Sequence, residues 1–172
     1  MKRIMYVLAM LCSIVGLVSC GTYNSVHDKP NLEGYNTVKP VVEKHNDSVF
    51  TSGNNFLLKN RYGLWELYVE GDPLERGMLN GALSQNLLQS QEAVFFEKVK
   101  EIVPSRLKQK LLRLFLKWYN RKLYLHVPAE YKTEIYGLSQ YSSHEYDYLA
   151  PPYLRALYLH AAHDIGHALS DL

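Results

Sequence analysis

Both cysteines of the chain, Cys12 and Cys20, fall within its first twenty residues, and this decides how the rest must be held together. Met1-Lys2-Arg3 is a positive start, Ile4 to Leu17 is an almost unbroken apolar run, and Leu17-Val18-Ser19-Cys20 is a small-residue cleavage site ending in cysteine. The run has the length of a secretory signal core and falls short of the ~20 residues that a spanning helix needs. Cleavage before Cys20 removes residues 1–19, and Cys12 with them. The expected mature chain then has no disulfide, although its compartment would permit one, so packing and polar bonds alone must hold the fold.

The leader resembles that of bacterial lipoproteins. The resemblance implies a diacylglycerol thioether on Cys20 and an acylated amino group, a membrane anchor of several acyl chains at ~0.8 kcal/mol per buried methylene. Cys20 would thus be consumed by lipid. Gly21 stands where some lipoproteins carry an inner-membrane retention aspartate, so the same resemblance favours the outer membrane, facing the periplasm.

The chain has 19 basic and 17 acidic residues. Loss of Lys2 and Arg3 leaves 19 − 2 = 17 basic residues against the same 17 acidic ones, a nearly neutral mature chain. Nucleic-acid binding wants a basic footprint, so no nucleic-acid partner is expected.

Residues 20–54 are rich in Asn, Ser, Thr, Lys, Asp and Pro and lack a period, which reads as a lipid-anchored flexible tether. The folded segment is expected over residues 55–172. Phe56 to Lys59, the turn Asn60-Arg61-Tyr62-Gly63, and Leu64 to Glu70 read as a β-hairpin, with Trp65, Leu67 and Val69 on one face. Asp72-Pro73-Leu74-Glu75 is a helix start, with Asp72 as N-cap, Pro73 in the first position and Glu75 closing a capping box. Gly77 and Gly81 lie four apart on that helix. Each costs ~1 kcal/mol relative to alanine, so close approach of a neighbouring backbone is expected there, with ligand contact as the other reading. The helical pattern continues past a break near Ser90 to Val103.

A helix from Pro104 to about Tyr124 places Leu107, Leu111, Leu114, Phe115 and Trp118 on one face and Arg106, Lys110, Arg113, Lys117 and Arg121 on the other. No acidic residue interrupts it. Such a helix can lie on anionic headgroups, yet the breadth of its apolar arc is what packing into a domain requires. Pro128 starts a shorter helix, Gln140 to Tyr148 is a tyrosine-rich loop, and a last helix runs through Leu154, Leu157, Ala161 and Ile165. The fold class is α+β, helix-rich with an N-terminal β-hairpin, and looks like part of a layered architecture.

His160, His163, Asp164 and His167 fall within one arc of the last helix. Three imidazoles and a carboxylate can bind a transition metal, but the spacing is not that of a zinc hydrolase; structural hydrogen bonding or the lining of a pocket is the expected role. No metal and no cofactor is expected: the chain has no phosphate-binding glycine loop, no dinucleotide fingerprint and no nucleophile elbow.

Three pieces in order, Tyr68-Val69-Glu70-Gly71-Asp72-Pro73-Leu74-Glu75-Arg76-Gly77 with Gly81, then Glu134-Ile135-Tyr136-Gly137-Leu138, then His163-Asp164-Ile165-Gly166-His167, resemble the N-terminal part of the acyl-coenzyme A:6-aminopenicillanic acid acyltransferase (C45 peptidase) family. The resemblance runs from about Leu64 onward. It implies an N-terminal nucleophile hydrolase with an αββα sandwich, of which this chain would be an incomplete part, and amide cleavage or acyl transfer by a self-liberated cysteine. That cysteine would stand shortly beyond the histidine-rich helix, and Leu172 is reached without it. The expectation is a leading segment inactive alone, in which no catalytic residue can be assigned. Such a segment is either a truncated gene product or a subunit completed by a cysteine-bearing second chain; the rival expectation is a non-enzymatic envelope lipoprotein that binds a partner.

Overall fold

The computed structural model describes residues 22–160. The leader, Cys20, and His163, Asp164 and His167 of the terminal cluster lie outside the described residues. The described residues divide into two compact units, one of residues 29–102 and 128–160, the other of residues 22–28 and 103–127.

The larger unit opens with a four-stranded antiparallel meander in the order β1-β2-β3-β4: β1 (Glu43–Asn46), β2 (Val49–Ser52), β3 (Asn55–Lys59) and β4 (Trp65–Tyr68). The expected hairpin is its second half, with Phe56 opposite Tyr68 and Lys59 opposite Trp65. Its turn forms because Asn60 Oδ1 accepts from the Tyr62 and Leu64 amides while Gly63 takes φ +82°. β4 is more exposed than its alternation suggests: Trp65 and Val69 are half-buried, but Leu67 and Tyr68 are exposed.

The expected tether over residues 20–54 is corrected here, because its last part is strand. β1 and β2 pair across Asp47-Ser48, where Asn46 Oδ1 accepts from the Ser48 amide. β2 and β3 pair across Gly53-Asn54. Gly53 at φ +59° is the first residue of that two-residue connection, where a type II′ turn takes glycine.

Helix α1 covers residues 22–27 of the smaller unit. In the larger unit α2 (Pro73–Leu83) begins as its sequence dictates: Asp72 accepts from the Glu75 amide at 2.9 Å and Pro73 sits in the first turn. The Glu75 carboxylate folds back against Gly71, occupying the space a β-carbon would fill. The break after α2 comes at Ser84, not near Ser90; there the hydroxyl donates to Asn80 O. α3 (Gln85–Ile102) follows directly.

α5 (Ala129–Ser139) packs on α2, and residues 152–160 are helical as expected (α6). Leu57, Leu74, Met78, Leu79, Leu83, Ile135, Leu154 and Leu157 make the core.

In the smaller unit α4 (Arg106–Tyr119) overturns the expectation of a core helix, for none of its residues is buried. Leu107, Leu111 and Leu114 are 68%, 58% and 58% exposed. The helix also stops earlier than expected, at Asn120, whose side chain donates to Leu116 O; a 3₁₀ turn at Leu123–Leu125 follows. No helix among the described residues is long and apolar enough to cross a membrane.

Candidate functional site

Two of the three pieces that carry the resemblance meet. Gly77 of α2 lies so close to α5 that a β-carbon would collide with the Glu134 carbonyl. The approach is reciprocal: a β-carbon on Gly137 would stand 2.7 Å from Leu74 O and 2.8 Å from Met78 N. At Gly81 it would meet Leu138 O at 2.9 Å and the Tyr141 ring. The glycines therefore serve close helix packing, the first of the two expected readings. Arg76 pins the same interface, donating to Glu134 Oε2 at 2.8 Å from one terminal nitrogen and at 3.2 Å from Nε, and to Gly71 O at 3.1 Å. The first of these bonds raises the already high Arg76 pKa. Sequence reading placed Arg76 and Glu134 in separate motifs; the structure makes them one ion pair.

The lead-in to α2 is held from the sheet. Asn55, buried at the start of β3, accepts from the Glu70 amide at 2.7 Å. The Tyr68 hydroxyl and Asn54 donate to the Glu70 carboxylate, and together hold its pKa below the ordinary value.

A polar cluster that sequence reading missed lies where α3, the loop after α5, and α6 converge. Glu92 and Arg155 pair at 3.3 Å with both side chains 2% exposed. Every nitrogen of the guanidinium is engaged: Nε on Glu92, one terminal nitrogen on Asp147 at 2.7 Å and Ala150 O at 2.8 Å, the other on Ser143 O. The second Glu92 oxygen accepts from the Ser143 amide at 2.8 Å. Asp147 also accepts from His144, and its carboxyl is held below the ordinary range by Arg155 first and His144 second. The cluster thus fastens the loop 140–150, which had only its tyrosines and polarity to mark it. Its one sequence signal is the pair of charged residues on otherwise apolar helix faces.

A cleft of about 370 Å³ adjoins the cluster, lined by Asn80, Ser84, Gln91, Glu92, Ser142 and His160 with four leucines and Ala156. His160 is thereby the one member of the terminal cluster that the described residues place at a pocket. Its Nδ1 donates to Ala156 O at 2.8 Å. Ser84 donates its proton to Asn80 O rather than to a base, and Glu92 is committed to Arg155 and Ser143, so neither is an activated nucleophile or a free base. Among the described residues no group of three metal-ligating side chains converges.

Compared with family models, with curated proteins and with solved structures, the chain matches none.

Proposed function

We propose that this chain is the leading segment of an amide-cleaving or acyl-transferring N-terminal nucleophile enzyme, an incomplete part of an αββα sandwich anchored by lipid on Cys20 to the bacterial outer membrane. The observation that carries the reading is the α2–α5 interface. Pieces some sixty residues apart, Asp72 to Gly81 and Glu134 to Leu138, form one interlocked unit through Gly77, Gly137 and the Arg76–Glu134 pair. Strand β4, which exposes Leu67 and Tyr68 and pairs on one side only among the described residues, adds support, because a sheet edge is where further strands add. With Cys20 taken by lipid, the nucleophile comes from polypeptide outside these 172 residues, and the chain is inactive by itself.

The test is to isolate the chain from envelopes of its host and determine the N-terminus of anything held in stoichiometric amount. A polypeptide beginning with cysteine is expected. A cooperatively folding monomer that holds no such polypeptide would overturn the reading. It would favour a second one, an envelope lipoprotein that binds a partner without chemistry. The closed Glu92–Arg155–Asp147 cluster speaks for that alternative, since it completes a core without outside help. The anchor is tested separately, by the mass of the N-terminal peptide.

A further inference from the structure

We propose that α4 lies in the surface of an anionic bilayer, with its leucine and aromatic face among the acyl chains and its basic residues on the headgroups. The charge distribution points to that surface. Val103 to Val127 holds seven basic residues and no acidic one. The rest of the chain, 19 − 7 = 12 basic residues against 17 acidic, is net negative. This segment is therefore net positive in a chain whose remainder is net negative, and anionic lipid is its complement.

The apolar face supplies the second half of the match. Leu107, Leu111 and Leu114 are more than half exposed, and Phe115, Trp118 and Tyr119 continue the face as a linked aromatic group. A helix whose apolar stripe is left uncovered beside a cationic one has the geometry of an interfacial helix, and Trp and Tyr are the rings that settle at headgroup level. Arg121 lies over the Trp118 ring at 4.6 Å and donates to Trp118 O, which sets a cation at the border of that face.

Position agrees with the anchor. Residues 22–28, which begin two positions after Cys20, belong to the same compact unit as α4. A lipid on Cys20, which is part of the functional reading above, would hold that unit at the membrane. The helix then makes a second contact that needs no lipid of its own.

The experiment uses the chain from residue 20 onward with Cys20→Ser, so that neither leader nor lipid can bind vesicles. It is floated with vesicles of phosphatidylethanolamine containing about a third phosphatidylglycerol and with vesicles of phosphatidylcholine alone, in a Trp65→Phe background that leaves Trp118 as the fluorescent reporter. Flotation with the anionic vesicles only, weakened by salt, with a blue shift of Trp118, is expected. Lys110→Gln should lower the partition coefficient about fivefold, at one surface charge removed. Leu111→Glu should lower it by about tenfold or more. Both positions are exposed, so thermal unfolding should not move. No flotation, or flotation indifferent to salt and to both substitutions, would overturn the proposal. So would a dimer in the absence of lipid that Leu111→Glu dissolves, since that face would then belong to a second copy.

Discussion

Replacing Gly77 by alanine sets two effects of opposite sign against each other. In an exposed helix the change stabilises by ~1 kcal/mol, because alanine loses less backbone entropy on folding. At Gly77 the new methyl would enter the Glu134 carbonyl of α5. That obstacle is backbone, so it cannot rotate away; relief requires α2 and α5 to separate. Separation uncovers Leu74 and Met78, both in the core, and stretches the Arg76–Glu134 pair. Overpacking usually costs about 1–3 kcal/mol, and an obstacle of backbone belongs at the top of that range. After the helix gain, a net loss of about 2 kcal/mol remains, or roughly 4–8 °C in Tm for a domain of this size. Urea unfolding followed by circular dichroism would measure it, with the midpoint lowered and the m-value unchanged. A variant as stable as the parent, or more so, would refute the interlocked-glycine account and remove the main support for the functional reading.

Other predictions rest on the remaining contacts. Glu92→Gln leaves the buried Arg155 with only the part-exposed Asp147 as counter-charge and should destabilise by about 3 kcal/mol; a loss under about 1 kcal/mol in urea unfolding would show the pair to be dispensable. The Tyr141 hydroxyl is buried without a hydrogen-bond partner among the described residues, so Tyr141→Phe should be neutral or stabilising by about 1 kcal/mol, and a clear loss would mean the hydroxyl is bonded. The Asp147 carboxyl titrates lower when folded than its ordinary 3.8, so its contribution is complete above that pH and lost as pH falls below it. Asp147→Asn should accordingly cost stability at pH 6 and much less near pH 2, as urea midpoints at the two pH values would show; an equal cost at both would refute the linkage.

What could be read from the sequence was local. The Asp72 N-cap with Pro73 behind it and the Asn60–Gly63 turn each carry their reason within a few residues, and both stand where expected. Gly77 and Gly81 announced a close neighbour because two helix-weakening residues on one face need a compensation, although not which neighbour. The first two strands were missed because Glu43–Asn46 is exposed throughout and shows no alternation, while Gly53-Asn54, a two-residue hairpin connection, was the available signal. Glu92 and Arg155 lie 63 residues apart, and a charged residue on an apolar helix face does not say which residue pairs with it. On α4 the amphipathic pattern is legible and its exposure is not, because periodicity gives the apolar face of a helix but not what covers it.

The most direct test of the central claim is the initial rate of amide hydrolysis, on a panel of acyl-amide substrates, by the isolated chain and by the assembly recovered from the envelope. The account predicts no turnover by the chain alone and turnover by the assembly that a thiol-alkylating reagent abolishes. Turnover by the chain alone, or an assembly that is inert or indifferent to alkylation, would contradict it.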